Sequence, residues 1–115
     1  MTTFINLTPH PLTLRAEDGT DSVIAPSGTV ARVTATPAEQ EGILNGVPLY
    51  GVAVFGEVED LPEPAEDTTY IVSGLVGGRI VCRDDVVVPG TGPKDGAIRN
   101  DKGHIIAVTR LNRAG

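Results

Sequence analysis

Fourteen glycines and nine prolines are spread along 115 residues, and they limit what this chain can build. Proline removes a backbone donor and breaks helices, and glycine weakens helix and strand interiors alike, so the pieces between them must be short. Those pieces are rich in β-branched side chains, with Val and Ile together numbering 22 against 8 Leu. Such side chains are stiff at χ1 and fit a pleated surface better than a helix. Phe4, Phe55, Tyr50 and Tyr70 are the only aromatics, so the core has to be aliphatic. The expectation is one domain over residues 1–115, α+β in class and β-dominated. It is a compact, mostly antiparallel sheet or barrel-like unit with one or two short helices.

Turn chemistry divides the chain further. Residues 4–8 read as a strand stopped by Pro9-His10-Pro11. Residues 12–15 alternate apolar and polar, and Asp18-Gly19 then predicts a hairpin back into residues 22–25. With a further strand over 29–36, the first third reads as an antiparallel meander. Thr36-Pro37-Ala38-Glu39-Gln40-Glu41 has the cap, first-turn proline and acids of a helix start, limited by Gly42 and Gly46 to a turn or two. Residues 47–58 read as a strand, 59–67 as an acidic loop outside the core, and 68–72 as a strand. Ser73 is placed to cap a short helix over 74–82. The apolar strand 84–88 follows, with its pairing to 68–72 open between parallel and antiparallel. Asn100-Asp101-Lys102-Gly103 is a turn between strands at 96–99 and 104–111.

Charge is divided by position. Residues 1–78 carry eleven acids against Arg15 and Arg32, a net of −9, whereas residues 79–115 carry seven cations against four acids, a net of +3. A basic final third on an acidic protein suits an anionic ligand or an acidic partner. An overall charge of −6, a pI near 4.7 and few aromatics oppose nucleic-acid binding, duplex or single-stranded. Residues 1–6 do not resemble a secretory signal, and no stretch approaches the ~20 apolar residues of a membrane span. Cys82 is the sole cysteine, without a disulfide partner in the chain and in an apolar run that suits an inert buried thiol. These features lead to the expectation of a cytoplasmic protein without a membrane partner.

The segment with most chemical potential is Pro89-Gly90-Thr91-Gly92-Pro93-Lys94-Asp95-Gly96, directly after the apolar strand. Glycines let amides approach an anion, and Lys94, Arg99 and Arg83 supply charge. Gly90, Thr91, Gly92, Lys94, Arg99 and Arg83 therefore form the candidate ligand set, although plain Pro/Gly surface loops of this composition are commoner. The spacing fits neither a Walker A loop nor a dinucleotide fingerprint. His10, held between two prolines, is a further candidate for the wall of such a site. The competing reading makes residues 6–11 a turn in which Asn6 and Thr8 cap backbone groups. Asp84 and Asp85 point to opposite strand faces, so an ion pair of this region with Arg79 or Arg83 is expected rather than a metal or acid/base site. No nucleophile–base set can be assembled, no metal-ligand spacing occurs, and no cofactor is expected.

Two stretches carry a resemblance. Phe4-Ile5-Asn6-Leu7-Thr8-Pro9-His10, and Tyr70-Ile71-Val72-Ser73 with Arg83-Asp84-Asp85-Val86-Val87-Val88-Pro89-Gly90, resemble small uncharacterised proteins of bacteriophages, prophages and actinobacteria that begin with an Asn-Leu-Thr-Pro-His signature. The resemblance implies a compact accessory protein of the host cytoplasm and brings no catalytic residues. Small phage proteins of this general kind include oligomeric sponges that sequester nucleotide signals. Together these readings lead to a non-catalytic, homo-oligomeric protein that binds a nucleotide-like or other anionic small ligand. The alternatives are a structural or protein-interaction role, as a virion accessory or an inhibitor of a host protein, and, third, a small hydrolase.

Overall fold

The computed structural model describes residues 2–80 and 83–114, which form strands and one short helix. β1 (Thr3–Asn6) ends at the Leu7-Thr8-Pro9 turn. β2 (Leu12–Arg15) and β3 (Asp21–Ile24) are a hairpin in which Gly19 takes φ +88° and Asp18 Oδ1 accepts the Thr20 amide at 2.9 Å. β4 (Arg32–Thr36) leads outward to a second hairpin, β5 (Gln40–Leu44) and β6 (Val47–Tyr50), and β7 (Val54–Glu59) returns against β4. Asn45 and Gly46 turn that hairpin with φ of +48° and +82°, the pair of positive values a type I′ turn needs. β8 (Thr68–Ile71) enters α1 (Gly74–Gly77), where Ser73 Oγ accepts the Val76 amide as an N-cap. β9 (Val86–Pro89), β10 (Ile98–Arg99), β11 (Ile105–Ala107) and β12 (Leu111–Arg113) follow.

The central sheet has the order β1-β8-β9-β12, with the first two pairings parallel and the last antiparallel. Residues 72–85 connect β8 to β9, enough chain for the crossover that parallel pairing requires. α1 lies against β9 so closely that a methyl on Gly77 would sit 2.3 Å from Val88 Cγ1. Leu7, Tyr70, Val72, Val76, Ile80 and Val86 are the buried center, flanked by half-buried Ile5, Val33, Val58, Leu61 and Val88. Tyr70 is its one buried aromatic and donates its hydroxyl to the Glu63 carbonyl at 2.9 Å.

Among the described residues, one polar side chain is sealed inside. Asn6 is 1 % exposed, and its amide group is fully engaged. Nδ2 donates to the carbonyls of His10 (2.9 Å) and Ile24 (3.0 Å), while Oδ1 accepts from the Thr8 amide (2.9 Å) and hydroxyl. Its backbone carbonyl also accepts from the Ser27 amide at 3.0 Å. Thus Asn6 joins the edge of the central sheet to the 8–10 turn and to the end of the β2–β3 hairpin. On the far side, that hairpin is stitched to residue 108: Arg15 N donates to Val108 O at 2.8 Å and Val108 N to Thr13 O at 2.9 Å.

The remaining strands leave the body. β4 with β7, and β5 with β6, continue as one two-stranded ribbon, joined across their interruption by a Gly51 amide to Glu39 carbonyl bond of 2.9 Å. From Arg32 to Asn45 such a ribbon reaches about 40 Å when extended. The whole molecule measures 55 × 39 × 23 Å, and its radius of gyration is 17.1 Å. A closely packed domain of this length has a radius near 13 Å, so the ribbon is an arm.

Several expectations are corrected. The first third is no meander, because β1 pairs with β8 and β4 with β7. Residues 36–41 are not helical: Asn45-Gly46 closes a hairpin that takes residues 40–44 as a strand. The strand expected over 47–58 breaks at 51–53, and that over 104–111 breaks at 108–110. Leu61, in the acidic loop, packs on the core. Among the described residues the sheets do not close into a barrel, and α1 is shorter than its expected span. The reading of Cys82 as a buried thiol lies outside the described residues.

Replacing Asn6 with Ala should cost roughly 2–4 kcal/mol in urea unfolding, since the Ile24 carbonyl and the Thr8 amide lose this partner and the His10 carbonyl keeps only the Thr8 hydroxyl. A loss under about 0.5 kcal/mol would contradict this role. Gly77→Ala should lower stability by roughly 1–2 kcal/mol, the crowding at Val88 outweighing the better helix propensity of alanine. An unfolding midpoint at or above that of the parent protein would contradict it.

Candidate functional site

The Gly/Pro loop after β9 already holds an anion, supplied by the chain itself. Asp95 Oδ2 accepts the Gly92 amide at 3.0 Å and Asn112 Nδ2 at 3.1 Å, and Oδ1 lies 3.3 Å from Arg110 Nη1. Gly90 is buried, with its amide bonded to the Arg110 carbonyl at 2.9 Å. A Cβ on Gly90 would lie 2.8 Å from that same oxygen, so glycine is needed there for backbone to approach backbone. Thr91 and Lys94 are exposed on the rim.

The three cations of the candidate ligand set are not gathered. Arg83 precedes β9, at the opposite end of that strand from Gly90, and forks onto Asp85 at 2.7 and 2.9 Å while also donating to the Pro62 carbonyl at 3.0 Å. This is the structural ion pair expected of that region. Arg99 lies on β10 and donates to the Gly103 carbonyl of its own hairpin at 2.8 Å. The exposed His10 contributes its backbone carbonyl to Asn6 and Thr8, as the capping-turn reading expects. Among the described residues, no group of three His, Cys, Asp or Glu side chains converges on a metal position. Nor is any helix there long and apolar enough to cross a membrane.

Two features emerge that the sequence reading passed over. The first is a cleft of about 430 Å³ between β1, the β2–β3 hairpin and residues 108–111. Phe4, Leu14, Ile24, Val108 and Leu111 supply its apolar lining, with Arg15, Ser22, Thr109 and Arg110 also on its walls. Arg15 is held by Asp21 through bonds of 2.7 and 3.0 Å, and Arg110 by Asp95 and by Asn112 Oδ1 at 2.9 Å. The walls come from three separated segments, so no local motif announces them.

The second feature is the arm. Its base is fastened to the body by half-buried Val33 and Val58 and by Arg79, whose guanidinium carbon stands 4.3 Å from the centroid of the Phe55 ring. Beyond that base, Ile43, Leu44, Val47, Tyr50, Val52 and Val54 are all at least 60 % exposed. Register places Leu44 opposite Val47 and Leu49 opposite Gly42, so Leu44, Val47 and Leu49 share one face of the tip. No Lys or Arg occurs from Val33 to Gly78, while Glu39, Glu41, Glu57 and Glu59 lie along the ribbon. The Asn45-Gly46 pair is the sequence signal by which this hairpin is recognizable.

Comparison with known proteins finds no matching family model, no similar curated protein and no similar solved structure.

The ion pairs predict an acid response. The hydrogen bond from Arg83 holds the Asp85 carboxyl below its ordinary range, and Arg15 does the same for Asp21. A carboxyl lowered on folding adds stability above its ordinary pKa, about 4, which is lost as pH falls through the lower folded value. Asp85→Asn should therefore cost about 1 kcal/mol at pH 7, the pair being partly exposed and screened, and less below pH 4. Urea midpoints at pH 7 and pH 3 check this, and an equal loss at both would refute the assignment.

Proposed function

We propose that this chain is a non-catalytic protein-interaction protein that assembles with copies of itself through the arm. The observation that carries this reading is the row of aliphatic side chains on a ribbon held away from the core. Isolated two-stranded ribbons are marginal in water, and exposed apolar patches of this kind mark interaction surfaces. Each aliphatic side chain contributes roughly 1.5–3 kcal/mol on full burial. Burying four of them is therefore comparable to the estimated 4–15 kcal/mol cost of association. The resemblance of the N-terminal segment to phage and prophage proteins supports an accessory role, on a virion or against a host protein. Binding of a small anion at the 90–96 loop has less in its favor, because Asp95 occupies the loop amide.

Leu44→Asp combined with Val47→Asp places two charges on the tip without touching the body. In native mass spectrometry the parent protein should be oligomeric at micromolar concentration. The double variant should remain folded by circular dichroism and run as a monomer. A monomeric parent protein, or a variant that assembles unchanged, would rule the reading out.

A further inference from the structure

The arm and the cleft are both apolar, and neither is used by its own chain: no residue of the arm lines the cleft. We propose that the arm tip of one copy seats in the cleft of the next, so that the chain is both plug and socket. This rests on the assembly reading and adds the site at which the arm docks.

Size, charge and symmetry support it. A cleft of about 430 Å³ lies within the range that accepts a compact apolar ligand, and Leu44, Val47 and Leu49 present such a group on one face. Pairing two arms face to face would juxtapose the glutamates of both, with no cation between Val33 and Gly78 on either copy. The lining of the cleft differs: among the described residues, Arg15 and Arg110 are its charged members, and it contains no acid. Asp21 and Asp95 already hold one carboxylate against each guanidinium, so the attraction left for Glu39 and Glu41 is weak and sensitive to salt, and the apolar contact carries the docking. Tip and cleft are different surfaces, so the contact is heterologous and repeats into a ring or a filament.

Heterologous contacts have a property that symmetric ones lack: two differently disabled copies restore a single good interface. The arm variant Leu44→Asp/Val47→Asp keeps its cleft. Ser22→Trp, at an exposed strand position on the cleft wall, fills the cleft and keeps its arm. Native mass spectrometry should show each variant alone as a monomer and the equimolar mixture as a 1:1 dimer with nothing larger. Arg110→Glu provides an independent cleft variant should Ser22→Trp fail to fold; it should weaken assembly at least tenfold and likewise pair with the arm variant. Cleft variants that assemble like the parent protein while the arm variant does not would overturn the docking site and leave the assembly reading standing. The same holds for a mixture of two monomeric variants that yields no dimer, and for a small molecule retained by the parent protein and expelled by Ser22→Trp. A monomeric parent protein would overturn both.

Discussion

The buried amide of Asn6 is the interaction on which the arrangement of the body depends. A carboxamide has two donor hydrogens and an oxygen with two lone pairs, and here all four capacities are used within the protein. An apolar residue at the position would take a donor from the carbonyls of His10 and Ile24 and an acceptor from the Thr8 amide. An aspartate would lack the two donors. Because those carbonyls come from the turn after β1 and from the end of β3, one side chain sets where the β2–β3 hairpin stands relative to the central sheet. The far wall of the cleft, through the pairing of residues 13 and 15 with Val108, follows from that placement.

Body and arm answer to different physics. The body has an aliphatic core, a parallel pair covered by α1, and polar groups satisfied within the chain. Among the described residues, no buried side-chain nitrogen or oxygen lacks a partner. The arm has backbone pairing but little burial beyond its base, and its side chains read as a surface waiting for a counterpart. Glu39, Glu41, Glu57 and Glu59 lie along it, in the position that charged gatekeepers hold beside exposed strands.

Local signals were legible in the sequence and remote ones were not. Asp18-Gly19, Asn100 with Gly103, and the Ser73 cap each act within four residues, and each appears where expected. The helix start at Thr36-Pro37 was equally local but lost to Asn45-Gly46, a stronger turn signal that commits the flanking residues to a hairpin. Partner choice for β1 is decided by burial against residues more than 60 positions away and leaves no trace in the segment, while β4 meets β7 because the Asn45-Gly46 hairpin folds the chain back. The glycines and Lys94 suggest either a ligand loop or a plain surface loop, and in the structure the carboxylate at the Gly92 amide is that of Asp95, three residues away. Only coordinates separate a loop awaiting a phosphate from one closed on its own carboxylate. The cleft was invisible because its walls meet only after β2 pairs with residue 108.

The order of the central sheet has a consequence for how the protein is made. Its first strand pairs with residues 68–71, and its last, β12, is contributed by residues 111–113. The sheet is therefore complete only when residue 113 has left the ribosome, whereas the arm needs only its own 28 residues, 32–59. Non-local pairing of this sort is slow, and hairpins close in microseconds. The pairing within the ribbon is thus available before the body is finished, although a ribbon alone is marginal in water. A chain released only as far as residue 78 carries a net charge of −9, and like charge of that size opposes contact between such chains until residues 79–115 add their net +3.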